Sequence, residues 1–326
     1  MLIPAKYVLT PKITEALSSI ESSKTVIDSI TIPPEIETNI RRKSSLKSSL
    51  FSARIEGNAL TLDELKTGSK EQKQIEVFNI LKALNQIHQR PSKDLTFKDV
   101  LNFHQVVMSG LIDRSELGRF RVEASAIFNN AGIAIYMPPP PRQVSSHMTK
   151  LINYINSSKE SFIPIRACIA HYSFEKIHPF LDGNGRVGRL LIQAILAKGG
   201  YSMKGLLALE ECLDKNRSSY YRYLDEPERD VTDYLEFMLE AIAISANQAK
   251  KQVLEKKEAE VEDYLLPRRA EIYNIIKDHK MVNFETIRRR FILVNERTLR
   301  FDLKKLADAG LIRKRGATKG VYYEII

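Results

Sequence analysis

The sequence predicts a mostly α-helical protein with one β-hairpin and a separate basic module at its C-terminal end. Apolar residues recur at the i, i+3, i+4 spacing of helices in segments such as RACIAHYSFEKI (166–177) and DYLEFMLEAIAISA (233–246), whereas the alternation typical of strands is scarce. Residues 265–326 hold 15 lysine and arginine residues against seven aspartate and glutamate residues. This uneven charge indicates that the last fifth of the chain is a module of its own.

The composition is that of an ordinary globular protein and argues against several other classes. The 326 residues are 43% hydrophobic and 28% charged, and no run of about 18 apolar residues suggests a membrane span. The start, MLIPAKYVLT, lacks the pattern of a signal peptide. Cys168 and Cys212 stand far apart in apolar contexts, which predicts buried thiols in a reducing compartment. We therefore expect a cytoplasmic protein with no membrane partner, while the net charge of +10 permits an anionic one.

Changes of pattern along the chain predict four regions. We expect an N-terminal region over residues 1–65, a helical core over residues 66–245, a charged helical linker over residues 246–266 and a C-terminal domain over residues 267–326. The prolines of TIPPE (31–35) interrupt the first region. Within the core, ASAIFNNAGIAIYMPPPP (124–141) places Asn-Asn-Ala-Gly between two short apolar runs and ends in four prolines. That order predicts a β-hairpin.

The most informative segment is HPFLDGNGRVGR, residues 178–189. A helical pattern begins at about Arg186, so Gly183, Asn184 and Gly185 would lie at a helix N-terminus. Free backbone N–H groups and the helix dipole favour an anion there. Arg186 and Arg189 are three residues apart and can reach over the same helix end, and guanidinium groups suit phosphate oxygens.

Two further side chains in this segment complete a set for phosphoryl or nucleotidyl transfer. Asp182 supplies a hard carboxylate beside the phosphates, of the kind that Mg²⁺ binds. His178 carries a ring suited to taking a proton from an attacking hydroxyl. A base, a metal ligand and a polyphosphate cradle are the parts that such a transfer needs.

Three other interpretations of the segment stay open. GNGRVG matches the Gly-x-Gly-x-x-Gly pattern of dinucleotide-binding folds, although the preceding HYSFEKIHPF is polar and helical rather than a buried strand. His171, Glu175 and His178 are spaced i, i+4, i+7 and could face a metal, although this is not an established zinc or di-iron spacing. A glycine-rich helix cap with incidental charges is the third.

HPFLDGNGRVGR resembles the signature of the Fic family, His-x-Phe-x-Asp/Glu-Gly-Asn-Gly-Arg-x-x-Arg, at every defined position. The resemblance covers roughly residues 1–245, including ELGRFR (116–121), and implies a Fic-type helical core that transfers AMP from ATP to a protein hydroxyl. It implies that His178 is the base, Phe180 the anchor of the loop, Asp182 the Mg²⁺ ligand, Gly183, Asn184 and Gly185 the anion hole, and Arg186 and Arg189 the contacts of the β- and γ-phosphates. One branch of the family has a lysine in place of Gly185 and phosphorylates, so Gly185 favours AMP transfer.

The hairpin and a pair of tyrosines fit the same resemblance. The hairpin (124–141) would be the family's flap, on which a target protein docks by strand addition; a surface hairpin without a role is the alternative. Tyr220 and Tyr221 resemble the paired tyrosines beside the adenine pocket, although core packing would also explain them. An asparagine often found a few residues later is replaced by EPERD (226–230), which leaves the base contacts undefined.

A second short segment, SARIEGN (52–58), bears on regulation. Ser52 and Glu56 are spaced i, i+4 on a predicted helix that Gly57 ends, and alone this pattern indicates an amphipathic helix with a glycine C-cap. Beside the signature it resembles the family's inhibitory motif, Ser/Thr-x-x-x-Glu-Gly/Asn, in the class that carries it before the core. Glu56 would then pair with Arg189, occupy the γ-phosphate position and hold ATP in an unproductive pose.

Residues 268–326 predict three helices and a hairpin, which together resemble a winged helix-turn-helix. Asn283 and Asn295 are expected N-caps, Gly310 ends the third helix, and LIRKRGATKGVYYEI (311–325) forms the wing. Such a domain would bind DNA. Its contacts would be Arg297, Arg300 and Lys304 on the third helix and Arg313, Lys314, Arg315 and Lys319 on the wing. A protein-interaction or dimerisation role is the alternative.

The sequence as a whole predicts an autoinhibited, Mg²⁺- and ATP-dependent protein adenylyltransferase. Its acceptor would be a hydroxyl of a target protein, or of the chain itself at a tyrosine such as Tyr136. The alternatives are a DNA-binding regulator whose core only senses nucleotide, transfer from another donor such as UTP, and removal of AMP from modified proteins. A homodimer could hold or release the inhibitory helix.

Overall fold

The computed structural model describes residues 2–67, 71–89, 94–128, 134–225, 230–255, 265–291, 294–316 and 321–326. Helices make up most of these residues, which confirms the predicted mostly α-helical class. The helices are α1 (Pro11–Ser29), α2 (Pro34–Ile55), α3 (Leu62–Thr67), α4 (Glu71–Gln89), α5 (Phe97–Val107), α6 (Pro141–Asn156), α7 (Ile163–Ile177), α8 (Asn184–Lys198), α9 (Leu209–Lys215), α10 (Arg217–Asp225), α11 (Thr232–Glu255), α12 (Pro267–His279), α13 (Phe284–Arg290) and α14 (Glu296–Asp308). The strands are β1 (Ile127–Phe128), β2 (Ala134–Tyr136), β3 (Met281–Asn283), β4 (Ile312–Arg315) and β5 (Tyr322–Ile325).

The chain divides into two compact units. The first comprises residues 1–31 and 41–254, and the second comprises residues 32–40 and 255–326. Most of the expected N-terminal region therefore belongs to the same unit as the expected core. Within the expected linker, α11 continues as far as Glu255, and residues 256–264 lie outside the described part of the chain.

The centre of the first unit is α8. Its residues from Arg186 to Ala197 are all buried, and it packs against α4, α5 and α7. A helix that is covered on every side belongs to the core, so its N-terminal end is fixed by the packing of its neighbours. α8 begins at Asn184, two residues before the predicted start, because Gly183 caps it with a left-handed backbone (φ +83°).

The start of the chain shows why the helices break where they do. Thr10 caps α1, its hydroxyl accepting a hydrogen bond from the Ile13 amide at 3.3 Å, and Pro11 takes the first helical position, where no N–H is needed. α1 ends at Ser29, and α2 begins at Pro34, which confirms the break predicted at TIPPE. α2 ends at Ile55, and Gly57 then adopts φ +98°.

The predicted hairpin is present in its described strands. β1 and β2 pair antiparallel, with Ile127 opposite Tyr136 and Phe128 opposite Ala134. The Asn-Asn-Ala-Gly turn predicted at residues 129–132 lies outside the described residues. A small antiparallel sheet at this place is consistent with a flap.

The second unit contains the elements predicted for residues 268–326 and one more. α12, α13 and α14 precede the antiparallel pair β4–β5, as expected, and β3 adds a third strand beside β5 that the sequence pattern did not indicate. Apolar side chains of all three helices form its core, among them Ile276, Ile287 and Leu303. Its assignment as a winged helix stays a prediction, and residues 317–320 of the wing are not described.

The structure bears on two further predictions, the burial of the two cysteines and the absence of a membrane-spanning helix. Cys168 is fully buried, whereas Cys212 is only partly buried, so the prediction of two buried thiols is wrong for the second. Among the described residues, no helix is long and apolar enough to cross a membrane.

The helix caps of the second unit give a test of its local stability. The Asn283 side chain accepts hydrogen bonds from the Thr286 amide at 2.9 Å and the Thr286 hydroxyl at 3.0 Å. We expect Asn283→Ala to lower the free energy of opening of α13 by about 1 kcal/mol, measured by hydrogen exchange of its amides. Asn283→Asp keeps the acceptor and should preserve protection. Equal loss in both variants would contradict the assigned cap.

Candidate active site

The segment 178–189 contains the turn between α7 and α8 and the first residues of α8. α7 ends at Ile177, and His178 takes a left-handed backbone (φ 48°, ψ 61°) while its amide still donates to the Phe174 carbonyl at 2.9 Å. The chain then reverses within five residues and enters α8 at Asn184. This reversal places His178 and the free amides of the α8 N-terminus at the same end of the helix pair.

Two side chains lock the turn into the core. The ring of Phe180 is fully buried and stacks on the His104 ring, with centroids 3.9 Å apart and planes 9° from parallel. The Asn184 side chain accepts a hydrogen bond from the Phe180 amide at 2.9 Å and donates one to the Phe180 carbonyl at 2.8 Å. Phe180 is therefore the anchor that the resemblance implies, and Asn184 acts on the loop through its side chain.

Sequence reasoning assigned no role to His104 or Arg121, which also hold this turn. His104 Nδ1 accepts the Gly118 amide at 2.9 Å, so its other nitrogen carries the proton and donates to the Asp182 carbonyl at 3.1 Å. Arg121 donates to the His178 carbonyl at 2.8 Å and to the Pro139 carbonyl at 2.5 Å. Arg121 belongs to the ELGRFR segment, which the resemblance includes without assigning a role to this arginine. His104 lies in an ordinary amphipathic helix, so the sequence gives no signal for its role.

The two glycines at the start of α8 leave little room for a side chain. A Cβ on Gly183 would come within 2.6 Å of the Met108 sulfur, in addition to the positive φ. A Cβ on Gly185 would collide with the Glu56 carboxylate and come within 3.1 Å of the Arg189 guanidinium. The bare backbone at these positions thus leaves space that acidic groups can enter.

The two arginines of the segment differ in their partners. Arg186 is nearly buried and forms ion pairs with Glu76 at 2.7 Å and with Asp182 at 2.8 Å. The Asp182 side chain is 59% exposed. The Asn58 side chain donates to the other oxygen of Glu76 at 2.8 Å, so Glu76, which the sequence analysis missed, links the segment after α2 to Arg186.

Arg189 is held by the segment around the end of α2. Its Nη2 lies 2.8 Å from Oε1 of Glu56 and 2.9 Å from the Ser52 carbonyl, and its Nε donates to the Ser52 hydroxyl at 3.0 Å. The guanidinium is 1% exposed and the Glu56 side chain is 29% exposed. Glu56 lies one residue beyond the helix rather than within it, in a turn where the Gly57 amide donates to the Arg54 carbonyl at 2.9 Å.

One cavity of about 500 Å³ brings these groups together. Its walls include His178, Gly185 and Arg189 from the signature, Glu56 from the second motif, and both Tyr220 and Tyr221. Ile127 and Tyr136 of the β1–β2 hairpin also line it. Residues from four separate parts of the sequence therefore meet around a space of the size of a small-molecule site.

The tyrosine pair has two different environments. Tyr220 is fully buried and its hydroxyl lies 3.0 Å from His171 Nε2, which fits the core-packing interpretation. Tyr221 is 40% exposed and its hydroxyl donates to the Ile55 carbonyl at 3.0 Å. Both rings still reach the cavity wall, so packing and ligand contact are compatible for this pair.

The structure does not support a metal site on His171, Glu175 and His178. Both ring nitrogens of His171 are engaged, Nδ1 with the Tyr234 hydroxyl at 2.7 Å and Nε2 with the Tyr220 hydroxyl. In the described parts of the chain, no group of three or more histidine, cysteine or acidic side chains could hold a metal ion.

Comparison with known proteins relates part of the chain to one family. Residues 94–196 match the Fic/DOC family. The chain resembles a Fic domain over this segment. It is 27% identical over 236 residues to the protein adenylyltransferase Fic of Drosophila sechellia, a match that covers 68% of this chain and 45% of that protein. The chain thus spans less than half the length of the curated relatives it matches.

Solved structures from the same family have a similar fold. A Fic family protein from Desulfovibrio desulfuricans G20 has a TM-score of 0.67 at 25% identity, covering 98% of this chain and 97% of that one. Fic-1 (residues 134–508) from C. elegans has a TM-score of 0.61 at 21% identity, covering 74% of this chain and 72% of that one.

Burial sets the protonation of several titratable groups around the cavity. It lowers the pKa of His178 to about 4, below the ordinary value from which a base was predicted, so the ring is neutral at pH 7. Burial also raises the pKa of Glu175 to about 8, with Arg189 acting against this shift and Glu56 adding to it. Burial, the largest single effect, lowers the pKa of Arg189, but the Glu56 carboxylate and the two tyrosines together outweigh it and raise this pKa above its ordinary value.

The raised pKa of Glu175 predicts that the stability of the first unit depends on pH. The folded protein favours the protonated carboxyl, so this contribution is present below the ordinary value of 4.5 and is lost as the pH rises through about 8. We expect Glu175→Gln to become progressively more stable than wild type from pH 5 to pH 9, by about 2 kcal/mol or more in all.

Denaturant unfolding at pH 5, 7 and 9 measures this difference. Glu15→Gln removes an exposed carboxyl on α1 and serves as the control for the loss of a charge. A stability difference for Glu175→Gln that stays constant with pH would show that the carboxyl is ionised throughout.

Proposed function

We propose that this protein transfers AMP from ATP to a hydroxyl side chain of a target protein, and that Glu56 restrains the reaction. The observation that carries the proposal is the convergence of His178, the α8 N-terminus and Arg189 on one cavity. The curated relatives, which bear the name protein adenylyltransferase Fic, support the same chemistry.

The cavity offers a separate environment for each part of ATP. The phosphates would lie at the N-terminus of α8, where the amides after Gly183 and the helix dipole favour negative charge. The ring of Tyr221 and the buried ring of Tyr220 form an aromatic wall for the base. Residues 226–229 are outside the described part of the chain, so the polar contacts of the base are not assigned.

His178 would act as the general base. Its ring is neutral at pH 7, so a nitrogen lone pair can accept the proton of the target hydroxyl. The hydroxyl oxygen forms a bond to the α-phosphorus, and the bond from that phosphorus to the bridging oxygen of the β-phosphate breaks. Pyrophosphate leaves with the electron pair, and its charge faces the helix N-terminus and the guanidinium groups.

The acidic residue of the signature fits a magnesium ion shared with a nucleotide. Mg²⁺ commonly takes one or two carboxylates together with substrate phosphates, rather than a full set of protein ligands. Asp182 is an exposed carboxylate beside the proposed phosphate site. Asp182 would hold the ion, which would neutralise charge on the phosphates.

The brake would act through Arg189. With Glu56 in place, this guanidinium already has a carboxylate partner at 2.8 Å and is not available to the γ-phosphate. A charge-assisted pair of this kind contributes about 1.5–3 kcal/mol, which corresponds to about a 10- to 100-fold change in the competent population.

The β1–β2 hairpin would receive the target by strand addition beside the cavity.

Self-modification at Tyr136 of this hairpin would require the side chain to leave its present contacts. The Tyr136 hydroxyl donates to the Lys176 carbonyl at 3.1 Å, and the Lys176 ammonium lies 4.5 Å from the centre of its ring. Tyr136 would have to give up both contacts to serve as an acceptor.

The test uses Mg²⁺ and ATP labelled on either the α- or the γ-phosphate, with cell lysate as the source of targets. We expect protein labelling from the α-phosphate only, about 10- to 100-fold stronger in Glu56→Gly than in wild type, and absent in His178→Ala. Glu56→Gln removes the charge with little change of shape and should fall between wild type and Glu56→Gly.

Each other result points to a different activity. Labelling from the γ-phosphate would mean phosphorylation and a wrong interpretation of Gly185. No label from ATP, with labelling from UTP, would mean another nucleotide donor, and release of AMP from previously modified proteins would mean the reverse reaction. Equal labelling by wild type and Glu56→Gly would remove the brake from the proposal.

The charge of the second unit favours a second candidate function, binding of DNA. Arg297 and Lys304 on α14 and Arg313 on β4 are exposed. Two other predicted contacts already have partners within the unit: Arg300 lies 4.0 Å from the centre of the Phe284 ring, and Arg315 pairs with Glu324 at 2.5 Å. We therefore propose Arg297 and Lys304 as the principal phosphate contacts.

Fluorescence anisotropy with a duplex of arbitrary sequence tests this candidate across a range of salt concentrations. Each phosphate contact adds about 0.9 to the slope of log K against log salt. Arg297→Ala/Lys304→Ala should lower the slope by about 2, and Arg297→Lys/Lys304→Arg should keep it. Absence of binding at low salt would leave a protein-interaction role for the unit.

A further inference from the structure

We infer that Tyr221 is a positioning residue for the proposed brake: its hydroxyl caps the end of α2 and so holds Glu56 against Arg189. This inference rests on the proposed function, because it takes Glu56 to be the residue that restrains AMP transfer. Tyr221 lies on α10, whereas Arg189 lies on α8, so a separate element of the fold would act on the brake.

The end of α2 is closed partly by its own backbone. The last four carbonyls of a helix have no partner within it. The Ala53 carbonyl accepts the amides of Glu56 and Asn58, each at 3.1 Å, and the Arg54 carbonyl accepts the Gly57 amide at 2.9 Å. In the described part of the chain, no backbone amide reaches the final carbonyl of the helix.

Side chains of α10 supply further donors. The Tyr221 hydroxyl donates to the Ile55 carbonyl at 3.0 Å, and Nη1 of Arg217 donates to the Arg54 carbonyl at 3.3 Å. Arg217 and Tyr221 are four residues apart on one face of α10, and the guanidinium carbon lies 5.7 Å from the centre of the tyrosine ring. The Arg54 side chain also pairs with Asp214 of α9 at 3.4 Å. α9 and α10 thus hold the end of α2 at these three points.

The bond to the Ile55 carbonyl acts directly on Glu56. This carbonyl and the Glu56 amide belong to one rigid peptide plane. Tyr221 holds the plane at its oxygen, and the Ala53 carbonyl holds it at its nitrogen. With both ends fixed, the direction in which the Glu56 side chain leaves the backbone is fixed, and its Oε1 stays 2.8 Å from Nη2 of Arg189. Loss of the hydroxyl releases one end of this plane.

The cap acts on the exposed turn rather than on the body of the helix. The Ala53 and Ile55 side chains are fully buried, whereas Tyr221 and Glu56 are exposed and line the cavity. Removing one hydrogen bond of this kind shifts an opening equilibrium by about 2- to 10-fold. A change at Tyr221 should therefore loosen the turn while α2 stays folded.

Hydrogen exchange of the amides of residues 56–58 measures this opening without reference to activity. We expect Tyr221→Phe, which keeps the ring and removes the donor, to speed the exchange by about 2- to 10-fold. Arg217→Ala should have a smaller effect, because the Arg54 carbonyl keeps the Gly57 amide. Tyr223→Phe is the matched control. It removes a hydroxyl from the same helix that makes no hydrogen bond to the described residues, and it should leave the exchange unchanged.

Labelling from the α-phosphate of ATP then connects the turn to the brake. Tyr221→Phe should raise labelling by about 2- to 10-fold in a chain that keeps Glu56. In the Glu56→Gly background the same substitution should give no rise, because no brake is left to loosen. Thermal unfolding of every variant establishes that it is folded.

Unchanged exchange at residues 56–58 in Tyr221→Phe would overturn the inference, as would a rise in labelling of equal size in the Glu56→Gly background. Faster exchange throughout α10 would reduce Tyr221 to a structural role and would also overturn it. Faster exchange confined to the turn, with no AMP transfer by any variant, would support the cap and count against the proposed function alone.

Discussion

The buried guanidinium of Arg189 is the constraint on which the site depends. A charge that is 1% exposed needs hydrogen-bond partners, and here they come from the end of α2. Glu56 and the hydroxyl and carbonyl of Ser52 supply them. One side chain of the central helix thus ties the end of α2 to the wall of the cavity.

A second constraint fixes the turn before α8. The backbone groups of residues 177–183 lie between two helix ends and cannot all pair within the helices. Asn184, His104 and Arg121 satisfy carbonyls of this segment from three different elements. The position of His178 therefore depends on residues far away in the sequence, and Arg121 connects it to Pro139 after the hairpin.

Local sequence patterns were sufficient to predict the helices and to find the segment 178–189. They were not sufficient to predict which residues contact the side chains of that segment. The caps at Asn283 and Asn295 follow from short-range chemistry, which a sequence displays directly. Strand β3 has three residues and is stabilised by pairing with β5, so no local signal marks it. The sequence showed His171 only as one of several titratable residues at helical spacing. Its hydrogen bonds to Tyr234 and Tyr220 could not be predicted, because the two tyrosines come from helices that are distant in the sequence. The pKa of His178 is likewise a property of its surroundings.

The place of Glu56 one residue beyond α2 has an energetic consequence. Helix ends fray more readily than helix interiors, and local opening of such a terminus requires far less free energy than global unfolding. Glu56 is partly exposed and sits in a turn closed by Gly57, while its partner Arg189 is enclosed by the core. Because Ala53 and Ile55 are fully buried at the end of α2, such an opening would be confined to the exposed turn of Glu56 and Gly57, and it would separate Glu56 from Arg189 without disturbing α8. The proposed brake could therefore be released by a ligand or partner that captures a short-lived opening of a few residues, and the catalytic scaffold would stay folded throughout.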